Sequence, residues 1–91
     1  MRSSRVRAIA RGRVQGVAYR AFAADAAREA GVAGWVRNCA DGSVEALLEG
    51  EAGAVGRVVE ALRRGPGHAR VESLETREEP PVGEDGFAIR Y

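Results

Sequence analysis

Apolar and polar residues alternate along several short segments of this chain, and apolar residues recur at helical spacing along two longer segments. Alternation is typical of a strand with one buried face, whereas a spacing of three and four residues is typical of an amphipathic helix. The pattern therefore predicts a first helix at 19–30 and a second that begins near Glu51 and ends near Arg64. It predicts strands at 6–14, 33–39, 44–48, 69–76 (or to 79) and 87–91.

Glycine, proline and aspartate mark the ends of the predicted elements. Gly31 follows the first helix as a C-terminal stop, and the run Gly-Pro-Gly at 65–67 ends the second. Asp41 and Gly42 give the signal of a hairpin turn. The order βαββαβ, with a short closing strand, predicts an α+β fold of the ferredoxin-like split βαβ type, an antiparallel sheet with two helices on one face. Many unrelated activities use this fold, so it decides no function by itself.

Length and charge favour a small globular protein. The 91 residues suffice for a single domain, 1–91, and are too few for two. The net charge of +1 is close to zero, so we expect no nucleic-acid partner and no membrane partner. The segment Met1–Arg5 carries basic residues without the apolar core of a signal peptide, and no apolar run is long enough to span a bilayer. We therefore expect a cytoplasmic monomer.

Composition excludes further classes of site. The single cysteine, Cys39, cannot form an internal disulfide or a multi-thiolate metal site. The chain has no lysine, which excludes a Walker-type phosphate loop and Schiff-base chemistry. No acidic residues are spaced like a set of metal ligands, and the pairs Glu78-Glu79 and Glu84-Asp85 are interpreted as solvated loop charges. We therefore expect no metal.

The segment from Gly12 to Arg20, Gly-Arg-Val-Gln-Gly-Val-Ala-Tyr-Arg, joins the first predicted strand to the first helix. A glycine-rich loop at such a junction can turn several backbone N–H groups toward one point, and the helix N-terminus adds partial positive charge. Arg20 adds a planar, permanently charged fork of donors. Together these features predict a site for a small dianion such as a phosphoryl group. The alternative is that Arg20 is a solvated residue at a helix start and that the glycines serve only backbone geometry.

This segment resembles the signature of the acylphosphatases, small enzymes that hydrolyse acyl phosphates to a carboxylate and inorganic phosphate. The likeness covers the chain from about Val6 to Tyr91, and Ala18 is a departure at a position where a bulkier residue is common. Its further motifs are Gly34-Trp35-Val36-Arg37-Asn38, Asp41-Gly42-Ser43-Val44-Glu45, Arg64-Gly65-Pro66 and Phe87-Ala88-Ile89-Arg90-Tyr91.

The resemblance implies the same ferredoxin-like fold and a role for each matching residue. Arg20 binds the phosphate, and Asn38 orients the attacking water. The substrate is a small-molecule acyl phosphate, with inorganic phosphate or sulfate as product-like ligands and no cofactor. Acetyl phosphate, carbamoyl phosphate and 1,3-bisphosphoglycerate are all compatible with it. The implied phosphate-binding loop consists of Gln15, Gly16, Val17, Ala18, Tyr19 and Arg20.

Two other functions stay open on the sequence. A module of the same family can bind a phosphorylated or carbamoylated small molecule without turnover, or serve as a domain of a larger machine, but a pure binder would not need Asn38. A nucleic-acid-binding domain of the same broad fold would stack bases on sheet aromatics, which are scarce here. Trp35 is interpreted as core or strand packing. Asn38, taken alone, is better interpreted as a residue that ends a strand and leads into the turn.

Overall fold

Residues 2–91 are described by a computed structural model, in which five strands and two helices follow one another along the chain. The α+β ferredoxin-like prediction is confirmed, with β1 beginning three residues earlier and β3 ending three residues later than the alternation indicated. The elements are β1 (Ser3–Arg13), α1 (Tyr19–Ala30), β2 (Ala33–Asn38), β3 (Val44–Glu51), α2 (Ala52–Arg64), β4 (Arg70–Glu79) and β5 (Phe87–Arg90).

The strands form one sheet in the order β4-β1-β3-β2-β5. The first four strands pair antiparallel as predicted, but β5 pairs parallel with β2, from Gly34 opposite Phe87 to Arg37 opposite Arg90. The sheet is therefore mixed rather than wholly antiparallel. The reason is the connection 80–86, which leaves β4 at one edge, crosses the end of the sheet and starts β5 beside the beginning of β2 at the other edge.

The apolar core lies between the helices and one face of the sheet. Alternate residues of β1, namely Val6, Ala8 and Ala10, point into it, and small alanines let α1 approach the strands closely. Glu51 caps α2 by accepting hydrogen bonds from the backbone N–H groups of Gly53 and Ala54. The remaining buried apolar members are Val14, Tyr19, Ala23, Ala24, Ala27, Val32, Val36, Val44, Ala46, Leu48, Ala54, Val55, Val58, Leu62 and Phe87.

The opposite face of the sheet carries a lattice of arginine and glutamate side chains. Arg7 pairs with Glu45 at 2.8 Å and with Glu79 at 2.7 Å, and Arg5 pairs with Glu49 at 3.0 Å. The interpretation of Glu79 as a solvated loop charge was therefore wrong. It lies in β4, where the antiparallel pairing with β1 brings it beside Arg5 and Arg7.

Trp35 also lies on this face and takes part in strand packing. Its side chain is 8% exposed and lies outside the helix-covered core cluster. The guanidinium groups of Arg7, Arg37 and Arg90 lie 5.7, 5.9 and 4.5 Å from its ring centre, which are cation–π distances. Arginines therefore shield the indole from solvent, and Trp35 offers no free ring for stacking a base.

Candidate active site

The carboxyl ends of three strands lie at the same end of the sheet and form a small pocket. Because β1 and β2 are both antiparallel to β3, and β5 is parallel to β2, the chain leaves β1, β2 and β5 at the same end. The loop before α1 follows β1, Asn38 ends β2, and Tyr91 follows β5. The pocket has a volume of about 180 Å³ and is lined by Val14, Gly16, Ala18, Tyr19, Arg20, Ala21, Asn38, Ile89 and Tyr91.

The loop before α1 leaves its backbone amides without hydrogen-bond acceptors among residues 2–91. Gly16 has φ of +74°, and Ala18, the residue before α1, has φ of 62° and ψ of 24°. A left-handed alanine costs about 1 kcal/mol, a strain that clusters at functional sites. Within residues 2–91, the backbone N–H groups from Gly16 to Arg20 donate no hydrogen bond, and no side chain caps α1. These amides and the helix N-terminus can therefore receive an anion.

Arg20 lies in this pocket with most of its donors uncommitted. One Nη1–H donates to the backbone carbonyl of Arg90 at 3.1 Å, and the Tyr91 ring centre lies 4.7 Å from the guanidinium carbon. Across the described residues, no carboxylate lies within ion-pair distance of Arg20. The charge is held in place by a carbonyl and a ring rather than neutralised, as an anion-binding arginine requires.

Asn38 contributes a buried acceptor to the same pocket. Its Oδ1 atom is buried and has no hydrogen-bond partner among residues 2–91. Leaving a buried acceptor unpaired costs about 1–3 kcal/mol, so such an atom in a native structure points to a functional role. The position of Asn38 is fixed by its pairing with Val44 of β3.

Gln15 braces the loop against the β2–β3 turn. Its Nε2 donates to the backbone carbonyls of Cys39 and Ser43, both at 2.8 Å. This pair of bonds ties the loop to the residue that follows Asn38. The side chain of Gln15 therefore helps to fix the distance between the loop and the end of β2. The sequence did not predict this role.

The six loop residues expected to bind phosphate do not all line the pocket. Gly16, Ala18, Tyr19 and Arg20 do, whereas Val17 packs against the core and Gln15 forms the brace. The Tyr19 ring is buried and its hydroxyl donates to the Leu62 carbonyl at 2.6 Å, while burial raises its pKa to about 12. Tyr19 is thus a structural link between α1 and α2, and its phenol is unsuited to proton transfer near neutral pH. Phosphate binding by this loop stays a prediction.

Two residues that hold Arg20 at the pocket were assigned no role in the sequence analysis. Arg90 supplies a carbonyl to Arg20, and Tyr91, whose side chain is exposed, supplies a ring. The only signal for them was the resemblance of the segment 87–91 to the family ending, which assigned no contact. Their contribution depends on the parallel docking of β5, a long-range feature.

Pocket size does not identify the site. A cleft of about 450 Å³ lies between α1 and α2 and includes Phe22 and Val58, and another of about 690 Å³ lies beside β1, α2 and β4. Neither combines unpaired loop amides with an unneutralised arginine and an unpaired buried acceptor. The chemistry of the lining residues therefore favours the smaller pocket.

Two kinds of feature are absent from the part of the chain that the structure describes. Over residues 2–91, no group of three or more histidine, cysteine, aspartate or glutamate side chains is placed to hold a metal ion. Neither of the helices in that range is long and apolar enough to cross a membrane.

This chain is similar to known proteins in both sequence and fold. The sequence profile of the Acylphosphatase family matches residues 6–89. A protein named acylphosphatase from Roseiflexus sp. strain RS-1 is 57% identical over 79 residues, 86% of this chain and 85% of its own. One from Rubrobacter xylanophilus is 52% identical over 97% of this chain and 81% of its own. The crystal structure of acylphosphatase from Bacillus subtilis superposes with a TM-score of 0.93 at 38% identity, over 97% of this chain and 99% of that one.

Proposed function

Because this chain belongs to the acylphosphatase family and hydrolyses acyl phosphates, we propose that its pocket holds the phosphoryl group and that Arg20 and Asn38 have separate roles there. Arg20 and the loop amides bind the phosphoryl oxygens, and Asn38 orients the attacking water. The observation that carries the proposal is that Asn38, whose Oδ1 is buried and unpaired, lines the same pocket as Arg20.

Binding of the phosphoryl group draws on backbone and side-chain donors together. The amides from Gly16 to Arg20 are unpaired within residues 2–91, and α1 adds the positive end of its dipole. The guanidinium of Arg20 adds a bidentate, charge-assisted contact to two phosphoryl oxygens. In the transition state, charge is spread over the phosphoryl oxygens, so these preorganised donors also stabilise it.

Asn38 acts on the nucleophile. Its carboxamide oxygen accepts a hydrogen bond from the water, and its N–H₂ group can donate to a phosphoryl oxygen. The water oxygen attacks phosphorus in line, the bond between phosphorus and the acyl oxygen breaks, and the electron pair leaves with the carboxylate. The proton of the water is released to a phosphate oxygen or to solvent. A carboxylate is a good leaving group, so positioning and electrostatics carry the reaction without a general acid.

We predict that hydrolysis of benzoyl phosphate continues unchanged in the presence of a chelator. In the mechanism, the positive charge that stabilises the phosphoryl group comes from Arg20 and the loop amides. The measurement is the steady-state rate with and without EDTA, with p-nitrophenyl phosphate as a matched monoester substrate. Little activity on the monoester is expected, because its leaving group needs more assistance. Loss of benzoyl phosphate hydrolysis on chelation, restored by a divalent ion, would contradict the mechanism.

We further propose that residues 1–91 act as one domain, and that the protein is a cytoplasmic monomer. A single core that joins both helices to the sheet supports the first point. The lone, half-exposed thiol of Cys39 is compatible with a reducing compartment. Light scattering coupled to size exclusion tests the monomer, which should elute with the mass of one chain.

A further inference from the structure

Glu49 is a buried carboxylate that hydrogen-bonds to the backbone of a distant segment. Its side chain lies on the arginine–glutamate face of the sheet and is 8% exposed. Its two oxygens accept from the backbone N–H groups of Val82, Gly83 and Glu84 at 3.0, 2.6 and 3.0 Å. Arg5 donates a fourth hydrogen bond at 3.0 Å. The bond from Val82 is the largest cause that lowers the pKa of Glu49 to about 2, against the opposing effect of burial.

The segment that Glu49 holds is the connection 80–86 between β4 and β5. Pro80 and Pro81 have no N–H to donate, and residues 80–85 make no backbone–backbone hydrogen bond within the described part of the chain. Only at Gly86, whose carbonyl accepts from the N–H of Gly34 at 2.8 Å, does regular pairing resume. Three hydrogen bonds to the carboxylate of Glu49 thus attach the connection to the sheet, together with the ion pair between Glu84 and Arg5 at 3.8 Å.

The connection leads directly into β5, and β5 leads to the pocket. This strand has four residues and forms an edge of the sheet, so it pairs with β2 alone. Its length is about 13 Å at the usual rise per residue. At its far end, the carbonyl of Arg90 and the ring of Tyr91 hold the guanidinium of Arg20. The strand is also held by its pairing with β2, by Phe87 in the core and by Arg28, whose Nη2 donates to the Phe87 carbonyl at 3.0 Å. Glu49 fixes the segment that enters this short strand, so a displacement there is carried through only four residues to Arg20.

We infer that Glu49 is a positioning residue for phosphate binding. It fixes the start of β5 through the connection 80–86, and the end of β5 in turn orients the guanidinium of Arg20. The inference rests on the proposed function, since it assumes that Arg20 binds the phosphoryl group. It separates Glu49 from the other acidic residues of the same face, which pair with arginines and make no hydrogen bond to the connection.

The test is Glu49→Gln, studied by calorimetric titration with inorganic phosphate and by steady-state hydrolysis of benzoyl phosphate. Glutamine keeps the volume of glutamate and one acceptor oxygen. Its N–H₂ group replaces the other oxygen, so it cannot accept hydrogen bonds from the backbone N–H groups that face it. We expect the Kd for phosphate and the KM to rise about fivefold, with kcat within about twofold of the parent, a range typical of coupling through intermediary residues.

Glu79→Gln is the matched control. It removes a carboxylate partner of Arg5 and Arg7 from the same face, yet Glu79 makes none of the hydrogen bonds to residues 82–84. We expect Glu79→Gln to bind phosphate as tightly as the parent when both proteins are measured at a temperature where they are folded. This holds even if the substitution lowers the melting temperature. Equal losses of affinity in Glu79→Gln and Glu49→Gln would overturn the inference, because the effect would then be one of general stability.

Val82→Pro tests the same anchor from the other side and carries the test where Glu49→Gln does not fold. It removes one N–H donor and leaves Glu49 charged. The site should tolerate proline, because the Val82 side chain is 68% exposed and its backbone φ is not positive. We expect phosphate affinity to fall about twofold. If either variant folds and binds phosphate as tightly as the parent, the inference about Glu49 is wrong and the proposed phosphate site is unaffected. A parent that does not bind phosphate at Gly16–Arg20 overturns the proposed site as well.

Discussion

Replacing Asn38 with alanine is expected to lower kcat for acyl phosphate hydrolysis about 100-fold or more, while the affinity for inorganic phosphate stays close to that of the parent. The expected loss is roughly 3 kcal/mol of transition-state stabilisation, the size found when one preorganised polar group is removed from an active site. The fold should survive, because the Oδ1 of Asn38 makes no hydrogen bond within residues 2–91. Steady-state kinetics and a phosphate titration on the same sample measure the two effects separately.

Two companion variants sharpen this prediction. Cys39→Ala changes the next residue, which is half-exposed and does not line the pocket, and it should retain most activity. Asn38→Asp should be poor, because a carboxylate can hold the water but repels the phosphoryl dianion at close range. A folded Asn38→Ala protein with the kcat of the parent would show that the pocket binds phosphate and that Asn38 takes no part in turnover.

Replacing Arg20 with lysine is expected to weaken phosphate binding and to lower kcat/KM together, each by about 30-fold. An ammonium group keeps the charge but cannot reproduce the planar fork, so about 2 kcal/mol of charge-assisted hydrogen bonding should be lost. The contact with the Arg90 carbonyl and the stacking on Tyr91 depend on the same planar group. The measurements are the Kd for inorganic phosphate and kcat/KM for benzoyl phosphate.

Arg13→Lys is the control for Arg20→Lys. Arg13 is exposed at the end of β1, close in sequence to the loop, and it does not line the pocket. It should behave like the parent, since overall charge is the same in all three proteins. Near-normal kinetics of Arg20→Lys would reduce Arg20 to a structural residue that supports the end of β5.

The parts of the site that depend on local sequence could be predicted. The loop before α1 is marked by Gly12 and Gly16, and the start of α1 follows from the apolar spacing after Tyr19. Asn38 lies beside that loop because of the strand order, since β1 and β2 both pair antiparallel with β3 and terminate at the same end of the sheet. Local turn chemistry and periodicity therefore predicted the elements that carry the two motifs, and the strand order of the fold brings these elements together.

The parts that depend on long-range placement could not be predicted. Glu79 lies 72 residues from Arg7 in sequence, and nothing in its neighbourhood distinguishes it from a solvated charge. The brace by Gln15 and the anchor by Glu49 are bonds to backbone atoms of other elements, which periodicity does not register. The direction of β5 is set by where the connection 80–86 crosses the sheet.

Titration of ¹⁵N-labelled protein with inorganic phosphate tests whether phosphate binds at the loop amides and Arg20, as we propose. We expect the amide signals of Gly16 to Arg20 and the side-chain Nε–H signal of Arg20 to shift together. The Kd from these shifts should equal the inhibition constant of phosphate as a competitive inhibitor of benzoyl phosphate hydrolysis. Shifts confined to another surface, or a Kd that differs from the inhibition constant, would show that phosphate does not bind at this site during catalysis.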